Sequence, residues 1–231
     1  MIVNLEALFS ERILALPVLL FSIVLHEFSH AYMAYRAGDM TAAAQGRLTL
    51  NPLVHLDPVG TVLIPILQFL YQGLPLIGWA RPVPVNPLKF RSSEWDIFVS
   101  LAGPGSNLVL AITAAILLKI GIVTGLVSEQ ALLGVLVHAA VKPELIGLVL
   151  FYFIEINIAL GLFNLIPIPP LDGSRVVYRF LASARSPLAD AYAALERYGY
   201  IILILIIVSP VGNFFFGIIY YCQSLVMRLI F

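Results

Sequence analysis

The chain has 231 residues, of which 61% are hydrophobic and only 11% charged, and its mean hydropathy is +0.98. Soluble globular domains carry about a quarter charged residues, so this composition points to an α-helical polytopic membrane protein. Basic and acidic residues balance at 13 each, which leaves no cationic field to attract nucleic acid. The one cysteine, Cys222, excludes an intrachain disulfide and any zinc site built on cysteine pairs, so a bound metal has to be held by histidines and carboxylates.

A helix that crosses a bilayer needs about 20 apolar residues. Residues 13–36, 97–118, 145–166 and part of 199–230 meet that requirement. The N-terminus carries Glu6 and Glu11 where a signal peptide has basic residues, and no small-residue cleavage site follows, so it reads as mature protein. Residues 59–78 are interrupted by Pro65, Gly73 and Pro75 and fit either a span or a re-entrant hairpin. Residues 131–141, which include His138, are too short to cross and are expected at the interface. The tail, 199–231, is broken at Ser209, Pro210, Gly212 and Asn213 into a kinked span or a tight hairpin. About four to six membrane segments result, and with no repeat or linker they form a single membrane-embedded domain over 1–231.

Lys/Arg asymmetry chooses between the two paths for 59–78. If that run crosses, the basic residues divide 8 to 5. If it re-enters, Arg36, Arg47, Arg81, Lys89, Arg91, Arg175, Arg179, Arg185 and Arg197 share one side against Arg12, Lys119, Lys142 and Arg228, a division of 9 to 4. The re-entrant path is adopted, with the N-terminus outside. It also puts the C-terminal ends of the first and third spans on the same, cytoplasmic, face.

Within the first span, 26-HEFSH-30 places three ionisable groups in apolar sequence. A charge at the bilayer centre costs about 2.5–3.5 kcal/mol on insertion scales, so such groups mark function. His26 and His30 lie four residues apart on one helical face and can reach one ion, while Glu27 sits about 100° round, close enough to meet a water beside it. Zinc brings the pKa of such a water towards about 7, and a neighbouring carboxylate can take its proton as it attacks a carbonyl. A third ligand must come from elsewhere, and Asp57, Glu155 and Asp172 are the carboxylates to weigh. Glu155 lies within the third span at a depth similar to that of His26. Asp172 ends 164-NLIPIPPLD-172, whose prolines forbid a regular helix and whose apolar residues can stay at membrane depth only if protein covers the backbone.

HEFSH in a membrane helix, followed far downstream by FNLIPIPPLDG, resembles the site-2 protease family of intramembrane zinc metalloproteases. The segments 46-GRLTLNPLVHLDPVGT-61, 79-WARPVPVNP-87 and 102-AGPGSN-107 resemble its compact bacterial and archaeal branch, which has no PDZ domain. The resemblance covers about residues 20–180 and implies a catalytic core over about 10–180, followed by C-terminal helical segments at 199–231. It implies one Zn2+ per chain, held by His26, His30 and Asp172. Glu27 would be the general base, and Asn164 would polarise the scissile carbonyl. The implied substrate is a transmembrane protein in the lipid bilayer, cut within or near its helix, by an enzyme of a prokaryotic cell membrane with its site towards the cytoplasm.

A peptide bond in a helix is shielded by its own hydrogen bonds, so the substrate must be locally unwound and held extended. The alternation of residues 46–51 before Pro52 suits a short edge strand of a small β hairpin, with Arg47, Leu48, Thr49 and Leu50 pairing to substrate by strand addition. His55 and Asp57 read as turn residues before Pro58. Asn107, beside Ala102, Gly103, Gly105 and Ser106, reads first as a packing residue that hydrogen-bonds to the HEFSH helix. The aromatic run 213–221 suits an interfacial belt. The rival reading is a membrane metal transporter or metal-binding scaffold, for which the non-ligand Glu27 would have no use.

Overall fold

In the computed structural model, residues 5–70, 78–136 and 144–231 are described, with side chains over 13–67, 78–134 and 144–231. The regular elements among the described residues are all helical: α1 (Leu5–Ala37), α2 (Thr41–Ala44), α3 (Ile64–Leu70), α4 (Trp95–Val123), α5 (Glu129–Leu136), α6 (Leu145–Asn164), α7 (Asp172–Ser183), α8 (Leu188–Ala194), α9 (Gly199–Ile207) and α10 (Pro210–Ile230). Four of these are long and apolar enough to cross a bilayer, namely α1 from Ile13, α4, α6 and α10. The protein is therefore an integral membrane protein with a helical membrane domain. His138 and the breakers Gly73 and Pro75 lie outside the described residues.

α1 stops where Gly38 takes φ +106°, and Asp39 N–H closes back on Ala34 O at 2.9 Å, a glycine-dependent helix end. α4 lies between α1 and α6, and small residues permit the approach. A Cβ on Gly161 of α6 would stand 3.0 Å from the Leu108 side chain, so no larger residue fits between α4 and α6 without a shift. Leu118, Ile154 and Leu132 sit at the centre of the main apolar cluster, shared by α4, α6 and α5. α5 contributes Leu132 to this core.

The tail is divided at Ser209, whose hydroxyl accepts the Val211 N–H and starts α10. α10 rests on α6, where Phe216 stacks on Phe163 and Gln223 donates to Glu155 O at 2.9 Å. At the far end, Lys119 Nζ donates to Ile230 O at 2.5 Å, so the C-terminal ends of α4 and α10 share one face of the molecule.

Between α1 and α4 the chain makes a capped turn at Pro52–Val54, a π-helical turn at Pro58–Leu63 and then α3. The expected β hairpin is not formed, and there is no strand among the described residues. Its proposed edge is consumed locally: Thr49 O accepts His55 Nε2 at 2.8 Å, the Thr49 hydroxyl accepts Asn51 N–H at 3.1 Å, and Asn51 caps the next turn. These bonds make residues 46–51 a bent loop.

Residues 79–86 form a non-helical strap fastened by backbone donors near both ends. Trp79 N–H donates to Gly60 O and Arg81 N–H to His55 O, while Asn86 N–H donates to the Asp39 carboxylate at 2.7 Å. Pro82 and Pro84 carry no N–H and so add no donor to the strap.

Candidate active site

His26 and His30 project from the same face of α1, and their Nε2 atoms lie 3.0 Å apart. Asp172, the first residue of α7, brings Oδ2 to 3.2 Å from each of them. Chain distance is bridged by the unwound segment 165–171, in which Pro167, Pro169 and Pro170 have no N–H to donate. That segment folds its Leu165 carbonyl against Gly173, where a Cβ would stand 2.2 Å from the oxygen. The Asp-Gly pair is thus a packing requirement that aims Asp172, rather than a simple turn.

Two imidazole nitrogens and a carboxylate oxygen converging within 4.8 Å form a donor set suited to zinc with a position left for a reactant. The space beside them is kept by Gly103 of α4. A Cβ there would lie 2.3 Å from His30 Nε2 and 2.6 Å from His26 Nε2, inside the volume that a ligated metal needs. Both rings are held from behind. His30 Nδ1 donates to Val99 O at 2.7 Å, and His26 Nδ1 meets Asn107 Oδ1 at 2.6 Å. An N–H held at Nδ1 leaves the Nε2 lone pair to point at the metal position.

Glu27 does not join the three converging groups. Its Oε2 accepts the Val83 N–H of the strap at 2.8 Å, which fixes the carboxylate beside the histidines. The strap is braced in turn by Arg47, a buried guanidinium that donates to Arg81 O at 2.6 Å and Pro82 O at 3.3 Å.

Of the three carboxylates weighed for the third ligand, the fold brings in Asp172. Asp57 caps the Pro58 turn through Val59 and Gly60 N–H, and His55 staples the loop, so both are turn residues as expected. Glu155 faces neither histidine closely enough to join the group. Asn164 ends α6 with Nδ2 donating to Leu160 O at 3.0 Å. Leu48 is half-buried against Ala31, Ala42 and Val83, and Leu50 is exposed. Asn107 is more than a packing residue, since it bonds directly to His26; an amide in an apolar helix was the available signal. Val83 and Val99 act through backbone atoms, which residue identity does not announce.

The chain matches the model of peptidase family M50 over residues 14–207. It is 40% identical over 204 residues to YwhC of Bacillus subtilis, a match covering 85% of this chain and 80% of that one. It is 32% identical over 211 residues to Rip2 of Mycolicibacterium smegmatis, covering 90% and 72% respectively. Both relatives are named as candidate zinc metalloproteases. No solved structure matches. A match that spans the helices as well as the motifs settles the lineage: this chain belongs to peptidase family M50, the site-2 proteases, whose metal is zinc.

Proposed function

We propose that this protein is a zinc-dependent endopeptidase that hydrolyses a peptide bond within or near a transmembrane helix of its substrate. The observation that carries the reading is the convergence of His26, His30 and Asp172 from two elements distant in sequence, about 10–16 Å in from the C-terminal end of α1. His26, His30 and Asp172 hold the metal. When bound, zinc polarises the scissile carbonyl and acidifies a water.

Glu27 is the general base. Its Oε2 is committed to Val83 N–H, so the other carboxylate oxygen accepts the proton of the attacking water and later passes it to the departing amine. Asn164 supports the carbonyl oxygen by turning Nδ2 away from Leu160 O, a bond within its own helix that the substrate replaces. Residues Arg47 to Leu50 flank the strap that carries Val83 beside Glu27, and we assign them to holding the unwound substrate. Arg47 serves by bracing the strap, and Leu50 by its exposed side chain. A proline at Leu48 that left both fold and cleavage unchanged would remove them from this role.

Residues 59–78, of which 71–77 lie outside the described residues, are read as re-entrant, entering and leaving on one side. Trp79 N–H reaches Gly60 O at 3.2 Å, and Thr61 Oγ1 donates to Trp79 O at 2.7 Å, which supports that path. The N-terminus is then outside and the site opens towards the cytoplasm of a prokaryotic cell. The whole chain is taken as one catalytic unit.

The direct test is zinc content of detergent-purified protein, wild type beside Asp172→Ala and Glu155→Gln. One zinc per chain, lost with Asp172 and kept with Glu155, is expected. Absence of zinc from the metal-replete wild type would overturn the protease reading.

A further inference from the structure

Asn107 is one link in a line of buried polar groups that leads from His26 away from the metal position. Its Nδ2 donates to Asn157 Oδ1 at 2.8 Å and to Ser22 O at 3.4 Å. Asn157 Nδ2 donates to Ser22 Oγ at 2.8 Å and to Phe153 O at 2.9 Å. Ser22 Oγ donates to Val18 O at 2.8 Å. Ser22, Asn107 and Asn157 are each 0% exposed and come from α1, α4 and α6, so the line ties together the three helices around the site. Three polar side chains in apolar surroundings are tolerated only when all are paired, and here they are paired in one direction.

That direction follows from the two ends. An amide can present oxygen or nitrogen, and only its partners decide which. Val18 O and Phe153 O are carbonyls, which accept and never donate. Because the Ser22 hydroxyl gives its proton to Val18 O, it can only accept from Asn157. Asn157 must therefore turn its amide nitrogen to both Ser22 and Phe153, and its oxygen to Asn107. Asn107 must answer with its own nitrogen, which turns its oxygen to His26. The proton of His26 then has to sit on Nδ1, and the lone pair on Nε2.

We infer that Asn157 and Ser22 are positioning residues for the metal centre, acting through Asn107 to fix the Nδ1–H tautomer and ring orientation of His26 before any metal arrives. The inference rests on His26 being a zinc ligand. Neither Asn157 nor Ser22 bonds to the histidine, and their effect is relayed through the orientation of one amide.

The test is the zinc dissociation constant, measured by chelator competition on the purified protein, for wild type, Asn157→Leu, Asn157→Asp and Ser22→Ala. Loss of such supporting partners typically costs 10–100-fold in metal affinity. Asn157→Leu keeps volume but removes the nearer of the two acceptors that orient Asn107, leaving only the longer bond to Ser22 O, so about 10-fold weaker zinc is expected. Asn157→Asp keeps that acceptor and is expected to bind zinc more tightly than Asn157→Leu. A packing role predicts the reverse order, because leucine suits an apolar helix and a buried carboxylate does not. Ser22→Ala, with Phe153 O still holding Asn157, is expected to fall between wild type and Asn157→Leu. The absorption bands of the cobalt(II)-loaded protein, expected to shift in Asn157→Leu, report ligand geometry independently of affinity. Unchanged zinc affinity in both Asn157→Leu and Ser22→Ala, or aspartate weaker than leucine, would overturn the inference. Absence of zinc from the wild type would instead overturn the reading beneath it.

Discussion

Gly103 of α4 stands so close to His30 of α1 that a Cβ on it would lie 2.3 Å from Nε2. The helix contact and the metal position are therefore one feature, since the absence of a side chain on α4 is what leaves the ligand nitrogens room. Gly103→Ala is expected to lower zinc affinity by at least about 10-fold while the protein stays folded in detergent. Gly105→Ala is the matched control, because nothing lies within 4 Å of a Cβ there. Chelator competition on the two variants checks this, and equal affinities would show that the histidines can shift aside.

Gly173→Ala tests how Asp172 is aimed. The added methyl would meet Leu165 O at 2.2 Å, and backbone on both sides can give only by moving the start of α7. Zinc content is expected to fall towards that of Asp172→Ala, although the ligand itself is intact. Full occupancy would mean that the 165–171 segment yields without disturbing the carboxylate.

Glu27→Gln separates hydrolysis from metal transport. A glutamine oxygen can still accept the Val83 N–H, so strap and zinc content should be unchanged. It cannot take a proton, and turnover of a membrane-embedded substrate should fall by about 10²–10⁴-fold or more. Zinc flux across vesicles that persisted in this variant would favour a transporter.

Much of the site was legible in the sequence because its parts sit in sharp local contrast to their surroundings. His26, Glu27 and His30 stand out as ionisable groups in an apolar run, and proline spacing marks the 165–171 segment as unwound. The choice of Asp172 over Glu155 was not legible from depth alone, because it depends on how Leu165 folds against Gly173. The edge strand at 46–51 failed because alternation of side chains says nothing about backbone partners, and His55 and Thr49 had already taken those groups. The strap shows the same limit. Val83 matters through its N–H, and any residue other than proline carries that donor.

Asp39 gives the strap a dependence on pH. It is fully buried, with Oδ1 accepting from the Thr41 N–H and hydroxyl and Oδ2 from Asn86 N–H at 2.7 Å, so it fastens the end of α1 to the far end of the strap. Burial pushes its carboxyl up, but the Thr41 and Asn86 donors, with Lys89 nearby, outweigh that and hold it below the usual range. A folded-state value below the unfolded one means that the stabilisation is fully present above about pH 4 and is lost as pH falls through the folded value. Asp39→Asn should remove this component, because an amide nitrogen would face one of the donors and leave it unpaired at a cost of roughly 1–3 kcal/mol. The variant is therefore expected to have a lower Tm at neutral pH, and the gap to wild type should narrow as pH drops below 4. A gap that stayed constant with pH would mean that Asp39 acts by shape alone. Since the strap holds Val83 against Glu27, proteolysis by the neutral-pH variant should decline as well, with zinc content unchanged.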